Sequence, residues 1–216
     1  MPPLGDHLHE VLQRARQAGV QGVIVPAYDR ASWEAVGEVA AAHEEAHAAY
    51  GLHPWAEDAS LDLDLLRGLL QGGAVAVGEV GLDFATARTP AARAAQVSRF
   101  SRQVELAVEL GLPLILHCRK AAEELLSVLA EVAPGHPGVV HGFSRSPELA
   151  RGFLDQGLHL GLGGMLTRPG AHRVRRAAME IPLDRLLLET DAPAVGMNGL
   201  PPEQVEPQHI QRVAQT

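Results

Sequence analysis

The sequence of 216 residues contains a single cysteine, few aromatic residues and no long apolar run. With only Cys118, no intramolecular disulfide can form, which is typical of a reduced, cytoplasmic protein. No apolar run reaches the roughly 18 residues that a membrane-spanning helix needs. The first residues also lack the basic and then apolar pattern of a signal peptide. We therefore predict a cytoplasmic protein that does not contact a membrane.

Positive charge is also scarce. The formal net charge is -8 and the pI is near 5.7, which argues against binding nucleic acid through a broad basic surface but is compatible with a local basic patch. Hydrophobic residues make up 46% of the chain and charged residues 20%, a balance typical of a well-buried globular protein. No linker or low-complexity segment divides the chain, so residues 1–216 are predicted to form a single domain.

Short apolar runs recur along the chain and are separated by segments with helical spacing. The runs cover residues 22–26, 48–52, 74–80, 112–117, 138–141, 158–162 and 186–188. Between two of them, Ala95, Phe100, Val104, Ala107 and Val108 fall near a period of 3.6 residues, and Gly111 is placed to end that helix. Continuous apolar strands that alternate with helices favour a parallel sheet covered by helices.

The number of runs points to a barrel that lacks one strand. A closed barrel of this type has eight strands, whereas this chain opens on a helix with Leu4, Leu8, Val11, Leu12 and Ala15 on one face. The spacing of His7 and His9 within this helix directs them apart, so both are interpreted as solvated helix residues. The sequence therefore predicts an α/β protein with a distorted TIM (β/α)8-type barrel whose first strand is missing.

Polar side chains follow the apolar runs at the point where each strand is expected to end. They are His53, Glu79, His117, His141 and Asp191. In a parallel barrel the carboxyl ends of the strands form the edge where active sites occur. Neutral imidazoles and carboxylates that meet at one point are ligands for a divalent cation such as zinc or manganese, and a shared carboxylate can bridge two ions. The pattern predicts a metal site there.

Individual residues in this pattern also have structural interpretations. His53 is followed by proline, and this pair can simply form a turn. Arg119 can contact a phosphate or cap the helix that follows it. Cys118 is adjacent to His117 on a strand and should point to the opposite side, which favours a packed thiol over a metal ligand.

Five longer motifs surround these polar residues: GLHP (51–54), GEVGLDF (78–84), LPLILHCRKA (112–121), HGFSRSPELA (141–150) and IPLDRLLLETDAP (181–193). In their order and spacing they resemble the TatD family of metal-dependent deoxyribonucleases, within the amidohydrolase-like barrels. The resemblance runs from about Leu12 to Pro193. It implies a distorted eight-stranded barrel with one or two divalent ions, Zn, Mn or Mg, that hydrolyses phosphodiester bonds in DNA.

The resemblance also implies a role for each matching residue. Glu79 is the expected bridging carboxylate, and His117 and His141 are the expected ligands of one metal. Asp191 is the expected ligand of the other metal and the base for the attacking water, which makes Glu79 and Asp191 the predicted catalytic pair. His53 and Arg119 are interpreted as substrate-binding residues, and the expected partner is DNA or another phosphodiester.

The sequence departs from the family pattern at both ends. Family members begin with a strand ending in D-x-H-x-H, which is absent here, and the last helix is shortened at Thr216. We expect at most one tightly held ion and an in-frame D-x-H-x-H strand encoded upstream of Met1. A catalytically impaired remnant that retains partial metal binding is the main alternative, and an amide or lactone hydrolase on the same barrel is another.

Overall fold

The computed structural model describes residues 7–56 and 60–216, in which strands and helices alternate. The strands are β1 (Val23–Pro26), β2 (Ala46–Tyr50), β3 (Ala76–Asp83), β4 (Leu114–Arg119), β5 (Gly138–Val140), β6 (His159–Leu162) and β7 (Leu186–Leu188). The helices are α1 (Leu8–Gln17), α2 (Ser32–Ala42), α3 (Leu63–Gln71), α4 (Pro90–Leu110), α5 (Ala122–Val132), α6 (Pro147–Asp155), α7 (His172–Glu180) and α8 (Ile210–Ala214). All seven predicted strands are confirmed.

The chain divides into two compact units. One contains residues 24–140 and 155–158, and the other contains residues 1–23, 141–154 and 159–216. The single domain predicted over residues 1–216 stays a prediction. Across the described parts of the chain, no helix combines the length and apolar character needed to cross a membrane.

In the unit of residues 24–140, the strands lie in the order β1-β2-β3-β4-β5. The pairs β2–β3, β3–β4 and β4–β5 are parallel, with Ala49 opposite Ala76 and Leu114 opposite Gly138. Parallel pairs need a crossover, and helices α3, α4 and α5 supply it between these strands. Leu66 of α3 and Leu116 of β4 are completely buried in this core.

Strand β3 continues beyond the apolar run that predicts it. The expectation that Glu79 follows the strand is therefore wrong, because the strand extends from Ala76 to Asp83. The ladder to β4 shifts register between Val77 and Val80 and then continues to Asp83. Beyond this shift the two strands approach closely at Gly81, where a Cβ atom would lie 2.0 Å from the carbonyl oxygen of His117. Only glycine fits there.

Helix α4 ends at Gly111, as predicted. The side chain of Thr89 accepts a hydrogen bond from the backbone N–H of Ala92, Pro90 occupies the first turn, and Gly111 ends the helix in the left-handed conformation. Of the predicted buried face, Phe100, Val104 and Ala107 are confirmed.

The first and last residues of the predicted apolar face of α4 are not buried in the structure. Ala95 is exposed and Val108 is 42% exposed, whereas Gln96 and Gln103 are buried. Buried amides are stable only when their oxygen and nitrogen atoms find partners, and both glutamines bind backbone groups outside the helix. Helix α4 therefore holds neighbouring segments through polar side chains that hydrophobic periodicity does not detect.

The second unit joins α1 to the C-terminal segment. Arg14 donates to both carboxylate oxygens of Glu206, with N–O distances of 2.8 and 2.7 Å. Val11 of α1 is buried, whereas His7 and His9 are exposed, as predicted, with His7 immediately preceding the helix. Strands β6 and β7 pair in parallel in this unit. The final helix, α8, is short, and no strand precedes α1 in the described residues.

Two neighbouring leucines of α3 provide a matched test of this core. Leu66 is completely buried, whereas Leu65 is 42% exposed. We expect Leu66→Ala to lower the free energy of unfolding by about 2–5 kcal/mol, because it removes buried methyl groups and leaves a cavity. Leu65→Ala should change it by no more than about 0.5 kcal/mol. Urea unfolding monitored by circular dichroism measures both, and equal losses would contradict the assigned core.

The ion pair of Arg14 and Glu206 predicts a pH dependence of stability. The hydrogen bond from Arg14 lowers the pKa of Glu206 below its ordinary 4.5, outweighing the opposing effect of burial. A carboxyl with a lowered folded-state pKa contributes stability above pH 4.5 and loses this contribution as the pH falls through the folded-state value. We expect Glu206→Gln to reduce stability at pH 7 and to change it little at pH 2. Urea unfolding at both pH values checks this, and an equal loss at both would contradict it.

Candidate metal centre

Three side chains of the unit of residues 24–140 converge on one point. Glu79 Oε1 lies 3.1 Å from His53 Nε2 and 2.9 Å from His117 Nδ1. Glu79 is contributed by β3 and His117 by the adjacent strand β4, whereas His53 follows β2. One ligand atom from each residue lies within 4.8 Å of the other two.

The segment that carries His53 is held by the two buried glutamines of α4. Gln103 accepts from the backbone N–H of Leu52 at 2.7 Å, and Gln96 donates to the carbonyl of Pro54 at 3.1 Å. The imidazole of His53 is buried and stacks on Tyr28 with 5.1 Å between ring centroids. These contacts position His53, so its approach to Glu79 does not depend on a turn alone.

Asp83 is a central residue of the site that sequence reasoning missed. It is completely buried, and its Oδ2 atom accepts from the indole N–H of Trp55 at 2.7 Å and lies 3.4 Å from His117 Nε2. Burial alone would raise the pKa of Asp83, but the hydrogen bonds that its carboxylate accepts together hold the pKa below its ordinary value. The available signal was a second acidic residue in GEVGLDF, four positions after Glu79.

Arg119 ends β4 beside this carboxylate. Its guanidinium lies 3.6 Å from Asp83 Oδ2, and its side chain is 51% exposed. A half-exposed guanidinium at the strand end can still reach a ligand, so its predicted role in substrate binding stays open to test. Cys118, between Arg119 and His117, is partly buried.

The donor atoms fit a divalent cation. Two imidazoles and a carboxylate are the ligand types that zinc and manganese take in proteins, and such a set leaves a coordination position for water. Glu79 is only 17% exposed, so a cation would also compensate a negative charge held largely away from solvent. Of the residues that the structure describes, His53, Glu79 and His117 form the candidate metal group.

The two remaining predicted ligands belong to the second unit. His141 is the first residue after β5, and Asp191 follows β7 with a φ of 50°. The backbone carbonyl of Asp191 accepts from the N–H groups of Ala194 and Val195, at 2.7 and 3.0 Å. The roles of His141 and Asp191 as metal ligands stay predictions.

Glu189, two residues before Asp191, is a further acidic residue that the sequence analysis did not single out. Its Oε1 atom accepts from the backbone N–H of Gly142, directly after His141. A Cβ atom on Gly161 would lie 2.5 Å from Glu189 Oε2, so the absence of a side chain there makes room for the carboxylate. Glu189 thereby ties the segment that carries His141 to the end of β7.

Comparison with known proteins agrees with this fold and chemistry. The model of the family described as TatD related DNase matches residues 3–216. The metal-dependent hydrolase YjjV of Escherichia coli K12 is 37% identical over 98% of this chain and 83% of its own length. The 3'-5' ssDNA/RNA exonuclease TatD of Pantoea ananatis is 37% identical over 85% of this chain and 72% of its own.

Solved structures agree as well. The crystal structure of the Escherichia coli TatD homologue YjjV superposes with a TM-score of 0.86 and 35% identity, covering 99% of this chain and 83% of that one. A TatD family hydrolase from Entamoeba histolytica, 24% identical, shares the fold with a TM-score of 0.83 over 96% of this chain and 80% of its own. The predicted α/β fold of the TIM-barrel type is confirmed.

The barrel-type fold and the convergent His and Glu side chains define a metal-dependent hydrolase. The chain belongs to the TatD-related DNase family, because the family model covers nearly all of it and the sequence relatives agree.

The contact of Glu189 gives a prediction that two glycine variants test. Gly161→Ala should displace the Glu189 carboxylate from Gly142, whereas Gly170→Ala meets no atom within 4 Å. Since a hydrogen bond to a charged group contributes about 1.5–3 kcal/mol, we expect the Gly142 amide to exchange at least about 10-fold faster in Gly161→Ala. Hydrogen exchange followed by NMR measures this rate. Unchanged exchange in Gly161→Ala, or equal acceleration in both variants, would contradict the role of Glu189.

Proposed function

We propose that this chain hydrolyses phosphodiester bonds in DNA with the help of a bound divalent cation. The observation that carries the proposal is the convergence of His53, Glu79 and His117 within 4.8 Å in a chain of this family. The relative from Pantoea ananatis is named as an exonuclease for single-stranded DNA and RNA. We therefore take single-stranded DNA as the first substrate to test and the cytoplasm as the site of action.

Glu79 and His117 would hold the cation, and the family motifs add His141 and Asp191 as proposed ligands. When bound, such an ion supplies a Lewis acid that favours ionisation of a water molecule and offsets negative charge on the phosphate. Asp191 is the proposed base that accepts the proton of the attacking water. His53 is the proposed hydrogen-bond donor to a phosphate oxygen of the substrate.

The surroundings of this cluster suit a nucleic acid strand. Arg119, half exposed beside Asp83, can pair with a phosphate, which is a local contact compatible with the acidic charge of the whole chain. Trp55 is 42% exposed and borders an open hollow of about 410 Å³. An exposed aromatic ring offers a surface on which an unpaired base can stack. These features favour a single-stranded substrate over a small amide or lactone.

The proposal predicts that hydrolysis depends on Glu79. We expect Glu79→Gln to lower the rate of nucleotide release from single-stranded DNA by at least about 100-fold, because an amide replaces a charged ligand. Glu105→Gln, an exposed position on α4, should keep the wild-type rate. The assay measures acid-soluble nucleotides with added manganese or magnesium, and EDTA should abolish release.

Equal activity of the wild type and Glu79→Gln would contradict the proposal. A wild-type chain that binds manganese but releases no nucleotide would favour the alternative of an impaired remnant with partial metal binding. Parallel assays on amide and lactone substrates separate phosphodiester hydrolysis from the other chemistries that this fold supports.

A further inference from the structure

His53 and His117 approach the same oxygen of Glu79, but their other ring nitrogens have opposite partners. His53 Nδ1 accepts a hydrogen bond from the backbone N–H of Trp55 at 3.1 Å. His117 Nε2 lies 3.4 Å from Asp83 Oδ2. One of these far nitrogens therefore faces a donor and the other an acceptor, so the two rings differ in which nitrogen can offer a lone pair beside Glu79.

The contact with Trp55 fixes the protonation of His53. A backbone N–H can only donate, so His53 Nδ1 must present its lone pair. The neutral ring then carries its proton on Nε2, the atom that lies 3.1 Å from Glu79 Oε1. A nitrogen that carries a proton has no lone pair for a metal, so His53 faces Glu79 as a hydrogen-bond donor.

Asp83 offers His117 the opposite kind of partner. Both ring nitrogens of His117 face a carboxylate oxygen, Nδ1 at 2.9 Å from Glu79 Oε1 and Nε2 at 3.4 Å from Asp83 Oδ2, so each contact favours a proton on the nitrogen. A cation bound beside Glu79 would take the lone pair of Nδ1, and the ring proton would then stay on Nε2, where Asp83 accepts it. A carboxylate that holds the far N–H of a ligating imidazole is a recurrent arrangement in metal sites, where it fixes the ring and raises its basicity.

Trp55 connects the two arrangements. Its backbone N–H binds His53 Nδ1, and its indole N–H donates to Asp83 Oδ2 at 2.7 Å. The other oxygen of Asp83 accepts from the backbone N–H groups of Ala85 and Thr86, at 2.8 and 3.1 Å. The Asp83 carboxylate is therefore oriented from both sides and presents only acceptor atoms to His117.

We propose that Asp83 is a positioning residue that makes His117 a metal ligand, while Trp55 makes His53 a hydrogen-bond donor instead of a third ligand. The inference rests on the proposed metal site and assigns different tasks to two histidines that stand at similar distances from Glu79. The donor proton of His53 is then available to an oxygen of Glu79 or of a phosphate group.

Substitution of Asp83 by asparagine reverses the contact with His117. The two backbone donors at Ala85 and Thr86 outnumber the single indole N–H of Trp55, so the amide oxygen stays on their side, the indole loses its acceptor and the amide NH₂ group faces His117. His117 Nε2 then becomes the acceptor and its proton moves to Nδ1, directed at Glu79. The variant keeps the size of the side chain but removes the lone pair that a cation needs.

The experiment combines histidine NMR with zinc binding and uses no nucleic acid. In ¹⁵N-labelled wild-type protein loaded with Zn²⁺, long-range ¹H–¹⁵N spectra should show a proton on Nε2 of both His53 and His117. In metal-free Asp83→Asn at mildly alkaline pH, His117 should carry its proton on Nδ1. Calorimetric titration with Zn²⁺ alone should show about 10–100-fold weaker binding by Asp83→Asn.

His53→Gln is the matched comparison, because the proposal predicts wild-type zinc affinity for it and a large loss for His117→Gln. Equal losses in the two histidine variants would overturn the assignment of His53 as a donor. A proton on Nδ1 of His117 in the zinc-loaded wild type would overturn the role of Asp83, and this spectrum needs no variant to fold. Zinc binding through His117 without DNA hydrolysis would support this inference and contradict the proposed function.

Discussion

The structure of the candidate site depends on one constraint, the carboxylate of Glu79 in the middle of an otherwise buried strand. A largely buried negative charge needs compensation, and the chain supplies it from the strands on either side of β3. His53 follows one neighbouring strand and His117 lies within the other. Because β2, β3 and β4 lie side by side, residues far apart in sequence meet around a single oxygen atom.

Sequence patterns were sufficient for the architecture. Apolar runs located all seven strands, and Gly111 marked the end of α4. The same patterns failed at Ala95 and Val108, because burial on α4 is decided by Gln96 and Gln103, whose amides satisfy backbone groups elsewhere. Hydrophobic periodicity identifies apolar residues only, so it cannot predict that a polar residue is buried because of its hydrogen bonds.

The site was predictable in part. His53, Glu79 and His117 could be selected because each follows or interrupts an apolar run, but Asp83 could not, because its importance arises from contacts across strands and loops. The different roles proposed for His53 and His117 could not be predicted from sequence either, since they depend on which group contacts the ring nitrogen that points away from Glu79. Such information exists only once β3, β4 and the segment after β2 are assembled.

The buried glutamines of α4 have a consequence for how this protein unfolds. Gln96 bonds both the backbone N–H of Asp83 and the carbonyl of Pro54, while Gln103 bonds Leu52. Helix α4 is thus hydrogen-bonded to the segment that carries His53 and to the end of β3, so we expect these segments to stay in place as long as α4 stays folded against them. The ability to capture a cation should accordingly vanish together with the fold on heating, in a single cooperative event, and not in a separate earlier step.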